Sequence, residues 1–126
     1  MILPETLSKE PLGPLVRHGD DNWGDVVRWT LNFLIAAEEY GINSANVAEL
    51  AGGTDNPEIN RMLGTEGNLG EMLGLSADWG VTVISSVGNY GEIFDRNVGP
   101  ASRLKLDRGL NRQWTDGGLI YSPPFR

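Results

Sequence analysis

Cysteine is absent from the 126 residues and histidine occurs once, at His18. These two shortages exclude disulfides, thiolate metal sites, a cysteine nucleophile, a paired-histidine metal site and the usual serine triad. Long apolar runs are missing as well. The most apolar stretch, residues 26–37, is broken by Arg28 and Asn32, and it falls short of the roughly 20 residues that a bilayer crossing needs. No membrane span is expected. Nothing near Met1 combines a basic region, an apolar core and a small-residue cleavage site, so the chain carries no visible export signal.

What is present suits one modest domain: 40% of residues are hydrophobic, including four tryptophans, enough for a core. The net charge of −7 is unevenly placed. Residues 1–95 hold 4 basic and 15 acidic side chains, whereas residues 96–126 hold 6 basic and 2 acidic ones. Such a basic tail could meet an anionic partner such as nucleic acid, or lie back on its own acidic body. The second reading is favoured, because Leu104, Leu106, Leu110, Trp114, Leu119 and Tyr121 interleave the basic residues and call for a surface to cover. No nucleic-acid partner is expected.

Prolines at 4, 11 and 14 keep the first segment extended, with Pro11, Leu12, Gly13, Pro14, Leu15, Val16 and Arg17 reading as a crossing or edge strand. Asp20 or Asp21 then caps a helix, with Asp25 in its first turn. Trp23, Val26, Val27, Thr30, Phe33, Leu34 and Ala37 follow at helical spacing, and Gly41 stands where a left-handed terminator belongs. Trp29, Leu31 and Ile35 lie off that stripe, so this helix should have neighbours on more than one side. Shorter units follow. Asn43 or Ser44 caps a helix through Leu50; Asp55 or Asn56 caps another, with Pro57 at its first position and Gly64 at its end. A brief turn is expected over residues 69–73, then a helix over residues 77–87 with Trp79, Val83, Ile84 and Val87 on one face. Asn89 opens a further short helix whose Tyr90, Ile93 and Phe94 share a face, stopped by Gly99 and Pro100. One turn of helix near residues 110–114 and an extended ending, GGLIYSPPFR, complete the chain. Short helices between extended segments, without a sheet or heptads, read as part of a domain.

Candidate chemistry is thin. His18 beside Asp20 and Asp21 could form an acid and base pair, but in the turn HGDDN it reads as a solvated residue ahead of a helix cap. Glu38 and Glu39 are sequence neighbours and do not share a helix face, which makes them a solvated patch rather than a catalytic pair. Asp55 to Glu58, DNPE, lacks the ligand spacing of a calcium loop. Gly64, Gly67, Gly70 and Gly74 have no preceding strand, so they are helix terminators rather than a phosphate cradle. Trp23, Trp29, Trp79 and Trp114 sit on helical stripes, which makes packing their default role. No constellation supports an enzyme, and no cofactor or metal is expected.

Taken together, SKEPLGPLVRHGDDNWGDVVRWTLNFLIAAEEYGI, NYGEIFDRNVG and GLNRQWTDGGLIYSPPFR resemble the C-terminal third of periplasmic substrate-binding proteins of general L-amino-acid ABC transporters. The combination is specific, and it covers residues 2–126. The resemblance implies part of a type II periplasmic-binding-protein α/β fold, here the C-terminal portion of lobe 1, mainly α, with a short extended N-terminal crossing strand and an extended C-terminal tail. It divides the chain into a hinge or crossing strand over 1–19, a helical part of lobe 1 over 20–99, and a wrapping tail over 100–126. Leu12, Gly13, Pro14, Leu15, Val16 and Arg17 resemble the hinge crossing that absorbs lobe closure. The family's amino-acid contacts lie in segments that this chain does not contain, so no ligand-binding residue can be assigned here, and the chain alone is expected not to bind. Its implied partners are the missing N-terminal lobes, a membrane permease, and an L-amino acid in the complete, periplasmic protein. Trp23, Trp29, Tyr90, Ile93, Phe94 and Trp114 form the expected packing and docking face. Faces meant for an absent sheet predict a homo-oligomer when the chain is isolated. The alternative is a self-sufficient, oligomerising helical interaction module without ligand binding.

Overall fold

In the computed structural model, residues 12–125 are described. They form six α-helices: α1 Asp21–Glu39, α2 Val47–Leu50, α3 Pro57–Leu63, α4 Leu69–Met72, α5 Trp79–Val87 and α6 Tyr90–Asn97. Two short 3-10 helices, Gly109–Asn111 and Trp114–Asp116, lie in the tail. Among the described residues there is no strand, and a single parallel bridge joins Gln113 to Ile120.

The helix boundaries follow local chemistry. Asp20 caps α1, its carboxylate accepting from the Trp23 amide at 3.2 Å, and Gly41 ends it with φ +69°. Asn56 caps α3 through the Glu58 and Ile59 amides, Pro57 takes the first helical position, and Gly64 follows with φ +80°. Asn89 caps α6 in a reciprocal box: its side chain accepts from the Glu92 amide while the Glu92 carboxylate accepts from the Asn89 amide.

The core is organised around the second half of α1. Phe33, Ala36 and Ala37 are buried there and meet Ile42, Val47, Ile59, Met62, Leu63, Trp79, Ile84 and Phe125. Phe33, Ile35, Ala36 and Ala37, nearly consecutive, are all buried, and four such positions point to different sides of a helix. The helix is therefore enclosed at that end, as its off-stripe apolar residues predicted. Its first half is open: Trp23 is exposed, and Trp29 is half-buried.

Several expectations need correction. The segment from Leu12 to Arg17 is exposed and not a strand, because among the described residues no neighbouring strand is there to accept its ladder; Pro11 and the residues before it lie outside the described residues. Asn43 and Ser44 do not begin a helix. The Asn43 side chain instead accepts from the Ala45 and Asn46 amides and holds a turn, which delays α2 to Val47. The helix expected from Ala77 starts at Trp79, and Val87, placed on its buried face, is exposed. The single turn expected at 110–114 is two separate 3-10 helices that flank Arg112 and Gln113.

Gly70 is likewise no terminator. It lies inside α4, where a Cβ would come within 2.2 Å of the Ser76 carbonyl oxygen and 2.6 Å of the Trp79 ring. Close approach, not a turn, requires glycine there. Gly64 combines both demands, since its φ is positive and a Cβ would stand 2.0 Å from the Ala77 carbonyl oxygen. Gly74 has φ +71° with open space around it. Gly74→Ala should therefore cost about 1 kcal/mol, the left-handed penalty alone, and Gly64→Ala about 3 kcal/mol, because a backbone collision is added. Urea denaturation measures both; equal costs would contradict the packing of α3 against the start of α5.

Candidate interaction surface

Three polar knots tie the helices to one another, and each joins segments far apart in sequence. The first is at the start of α6. Beyond its capping box, Glu92 accepts from the Ser44 hydroxyl at 2.5 Å and from the Ser44 amide at 3.1 Å, and the side-chain Nδ2 of the buried Asn89 donates to the Ile42 carbonyl at 2.8 Å. The loop after α1 is thereby fixed to the start of α6. Burial alone would raise the Glu92 pKa, but the hydrogen bonds from Ser44 and Asn89, with Arg96 nearby, outweigh it and hold the carboxyl below its ordinary 4.5.

The second knot joins α1 to the tail. The Arg108 guanidinium donates to both carboxylate oxygens of Glu38 and to the Asn111 carbonyl, while its carbon lies 5.5 Å from the ring centres of both Tyr90 and Phe94. Gln113, 3% exposed, donates from Nε2 to the Ile35 carbonyl at 3.0 Å and to Glu38 at 3.1 Å. Its Oε1 is buried without a partner, a cost that the two donated bonds must exceed. The third knot is the hydrogen bond that the Tyr40 hydroxyl donates to Glu58. That bond first, then burial and the charges of Glu58 and Glu39, pushes the Tyr40 pKa up to about 12.

The predicted residues separate into distinct places. Tyr90, Ile93 and Phe94 are half-buried on α6, and the rings of Tyr90 and Phe94 lie beneath Arg108. Trp29 packs edge-on against Phe125, with ring centres 5.2 Å apart. Trp114 is exposed, its indole N–H donating to Glu39 at 3.3 Å, and Trp23 stands open near the start of α1. His18 is exposed in the turn before α1. No group of three or more His, Cys, Asp or Glu that could hold a metal occurs among the described residues, and no helix among them is long and apolar enough to cross a membrane.

Two readings are overturned. Glu38 is not part of a solvated patch: its side chain is 17% exposed and is held by Arg108 and Gln113. The tail does meet the body, but of its leucines only Leu106 is half-buried. Leu104, Leu110 and Leu119 stay exposed, and Arg108, Gln113 and Phe125 make the contact. Sequence reasoning missed these anchors because their partners are 70 or more positions away. The Glu92 box was missed too, although an acid three residues after Asn89 is its local signal.

An open cavity of about 260 Å³ lies among Asp25, Trp29, Leu69, Met72, Leu73, Trp79 and Phe125. Met72 is 74% exposed on its rim. With the open first half of α1 and the exposed leucines of the tail, it leaves more apolar surface than a closed domain usually shows.

Two outcomes follow from the knots. Arg108→Met should destabilise the chain by about 2 kcal/mol, since Glu38 would lose its charge partner in a mostly buried position. Arg112→Met, at an exposed position, should stay within about 0.5 kcal/mol; equal effects in urea denaturation would contradict the role of Arg108. Because the Glu92 pKa is depressed on folding, its contribution is present above the unfolded carboxyl value and disappears as pH falls through the folded one. The stability difference between the chain and Glu92→Gln should shrink on acidification below about pH 4.5, and a pH-independent difference would refute that assignment.

No protein-family model matches the chain. Among curated proteins, it is 59% identical over 126 residues to the glutamate/glutamine/aspartate/asparagine-binding protein BztA of Rhodobacter capsulatus, covering all of this chain and 37% of that protein. It is 56% identical over 128 residues to the general L-amino acid-binding periplasmic protein AapJ of Rhizobium johnstonii, and 52% identical over 126 residues to the putative amino-acid ABC transporter-binding protein YhdW of Escherichia coli, again covering all of this chain and 37% of each. A solved structure, an ABC transporter periplasmic binding protein from Brucella ovis with glutathione bound, matches with a TM-score of 0.94 and 58% identity over the whole chain and 40% of the solved one. These relatives are transport binding proteins, not enzymes. The partly matched fold is consistent with a mainly helical arrangement that has no strand among the described residues. Over its whole length, this chain is thus a relative of the amino-acid-binding proteins of ABC transporters, spanning 37% of the curated members it matches.

Proposed function

We propose that this chain is the C-terminal third of a periplasmic substrate-binding protein that captures L-amino acids and delivers them to an ABC-transporter permease. The observation that carries this reading is the end-to-end identity, 59% with a protein named for binding glutamate, glutamine, aspartate and asparagine. In it, residues 20–99 form the helical part of lobe 1 and residues 100–126 wrap that part. Leu12, Gly13, Pro14, Leu15, Val16 and Arg17 make the hinge crossing, for which an exposed segment outside any helix is suited. Trp23, Trp29, Tyr90, Ile93, Phe94 and Trp114 belong to the packing and docking faces.

Ligand capture needs segments beyond this chain, so the chain alone does not bind an amino acid. The exposed apolar side chains support a second reading, a self-sufficient module that covers them with further copies of itself: Leu15 is 99% and Leu12 92% exposed. Calorimetric titration of the isolated chain with mixed L-amino acids, and separately with glutathione, should give no binding heat. Micromolar binding would overturn the proposal. Light scattering distinguishes the second reading, which requires a stable, ligand-silent oligomer and fails on a monomer.

A further inference from the structure

Like α2, α4 and α5, α1 has a C-terminal end without a basic side chain, and a cavity adjoins it. This 19-residue helix ends at Glu39 with no basic residue in its last turn, so the partial negative charge of its terminal carbonyls is not offset from within the helix. Immediately beyond it, Tyr40, Trp114 and Tyr121 line an open cavity of about 180 Å³, together with Glu39, Pro123 and Pro124. Trp114 is 54% and Tyr121 60% exposed, which leaves aromatic surface open toward solvent.

The electrostatics of these groups all have one sign. Glu39 accepts one hydrogen bond, from the Trp114 indole, and among the described residues it has no ion-pair partner. The Tyr40 hydroxyl donates to Glu58, which makes its ring more electron-rich. The cations nearby are already engaged: Arg108 with Glu38, and Arg61 with Glu58 at 3.9 Å. Aromatic faces, a carboxylate and a helix C-terminus all attract positive charge, and the proline walls supply apolar contact for its substituents.

We propose that this cavity binds an organic cation, an alkylammonium or guanidinium group, against Trp114 and Tyr121 with Glu39 as counter-ion. A free small amine and a side chain presented by a protein partner share that chemistry. The test does not depend on the proposed part in amino-acid capture.

The test is a titration of the ¹⁵N-labelled chain followed by NMR at the Trp114 indole N–H. Tetramethylammonium represents a free cation, and N-acetyl-arginine amide a partner's side chain. Sodium chloride controls for ionic strength and tert-butanol for shape without charge. Because Arg126 follows the cavity wall in sequence, the same titrations are run on Arg126→Ala. A saturable shift with either cation, in either form of the chain, supports the site, and the tighter probe identifies the source. Glu39→Gln, which keeps an oxygen for Trp114, and Tyr121→Leu should each weaken binding about three- to fivefold, with unchanged thermal unfolding as the check on folding. No saturable shift in either form, an equal response to tert-butanol, or unchanged affinity in both variants would overturn the proposal.

Discussion

The ring of Phe33 has no exposed surface, and it is where three distant parts of the chain meet. Trp79 lies 4.8 Å from it and Phe125 lies 5.9 Å away in an edge-on arrangement, so the long helix, α5 and the last described residue share one contact. Aromatic pairs of this kind contribute about 0.5–1.5 kcal/mol each beyond the area they bury. The approach is possible because residue 80 is glycine: a Cβ there would stand 2.5 Å from the Phe33 ring and 2.8 Å from the Met62 carbonyl oxygen. Everything else in the helical body is arranged around this point.

Polar anchors complete what the aromatic cluster begins. The tail is mostly irregular, and irregular backbone contributes little stability of its own, so it must be held by side chains. Arg108 and Gln113 converge on Glu38 and the Ile35 carbonyl, one turn beyond Phe33 on the same helix, and Phe125 then enters the core. Glu92 and Asn89 perform the matching task for the loop after α1. Both α1 and α6 are thus fixed at their ends while the first half of α1 stays open.

Local signals were legible in the sequence, and distant pairings were not. The cap at Asn89, Pro57 at a helix start, and the terminating glycines at 41 and 64 each depend on a few adjacent residues and are found where the pattern put them, while Asp20 and Asn56 are the caps from the pairs Asp20 or Asp21 and Asp55 or Asn56 that the pattern left open. Asn43 misled because a side-chain amide can hold a turn as readily as it caps a helix. Gly70 misled because close packing and chain reversal both select glycine. Glu38 looked solvated because its neighbour Glu39 is, and nothing within twenty residues announces Arg108 as its partner. The tail leucines made the same point in reverse, since hydrophobicity predicted burial at Leu104, Leu110 and Leu119, which stay exposed while Phe125 and Gln113 are buried.

A helical block of this kind is competent to stand in for the corresponding part of a whole binding protein if its core and anchors are those of the family. The direct measurement exchanges the matching segment of the Rhodobacter capsulatus relative for this chain and titrates the chimaera with L-glutamate by calorimetry. The account predicts a cooperatively folded chimaera that keeps the relative's binding. A chimaera that folds cooperatively but no longer binds would contradict it.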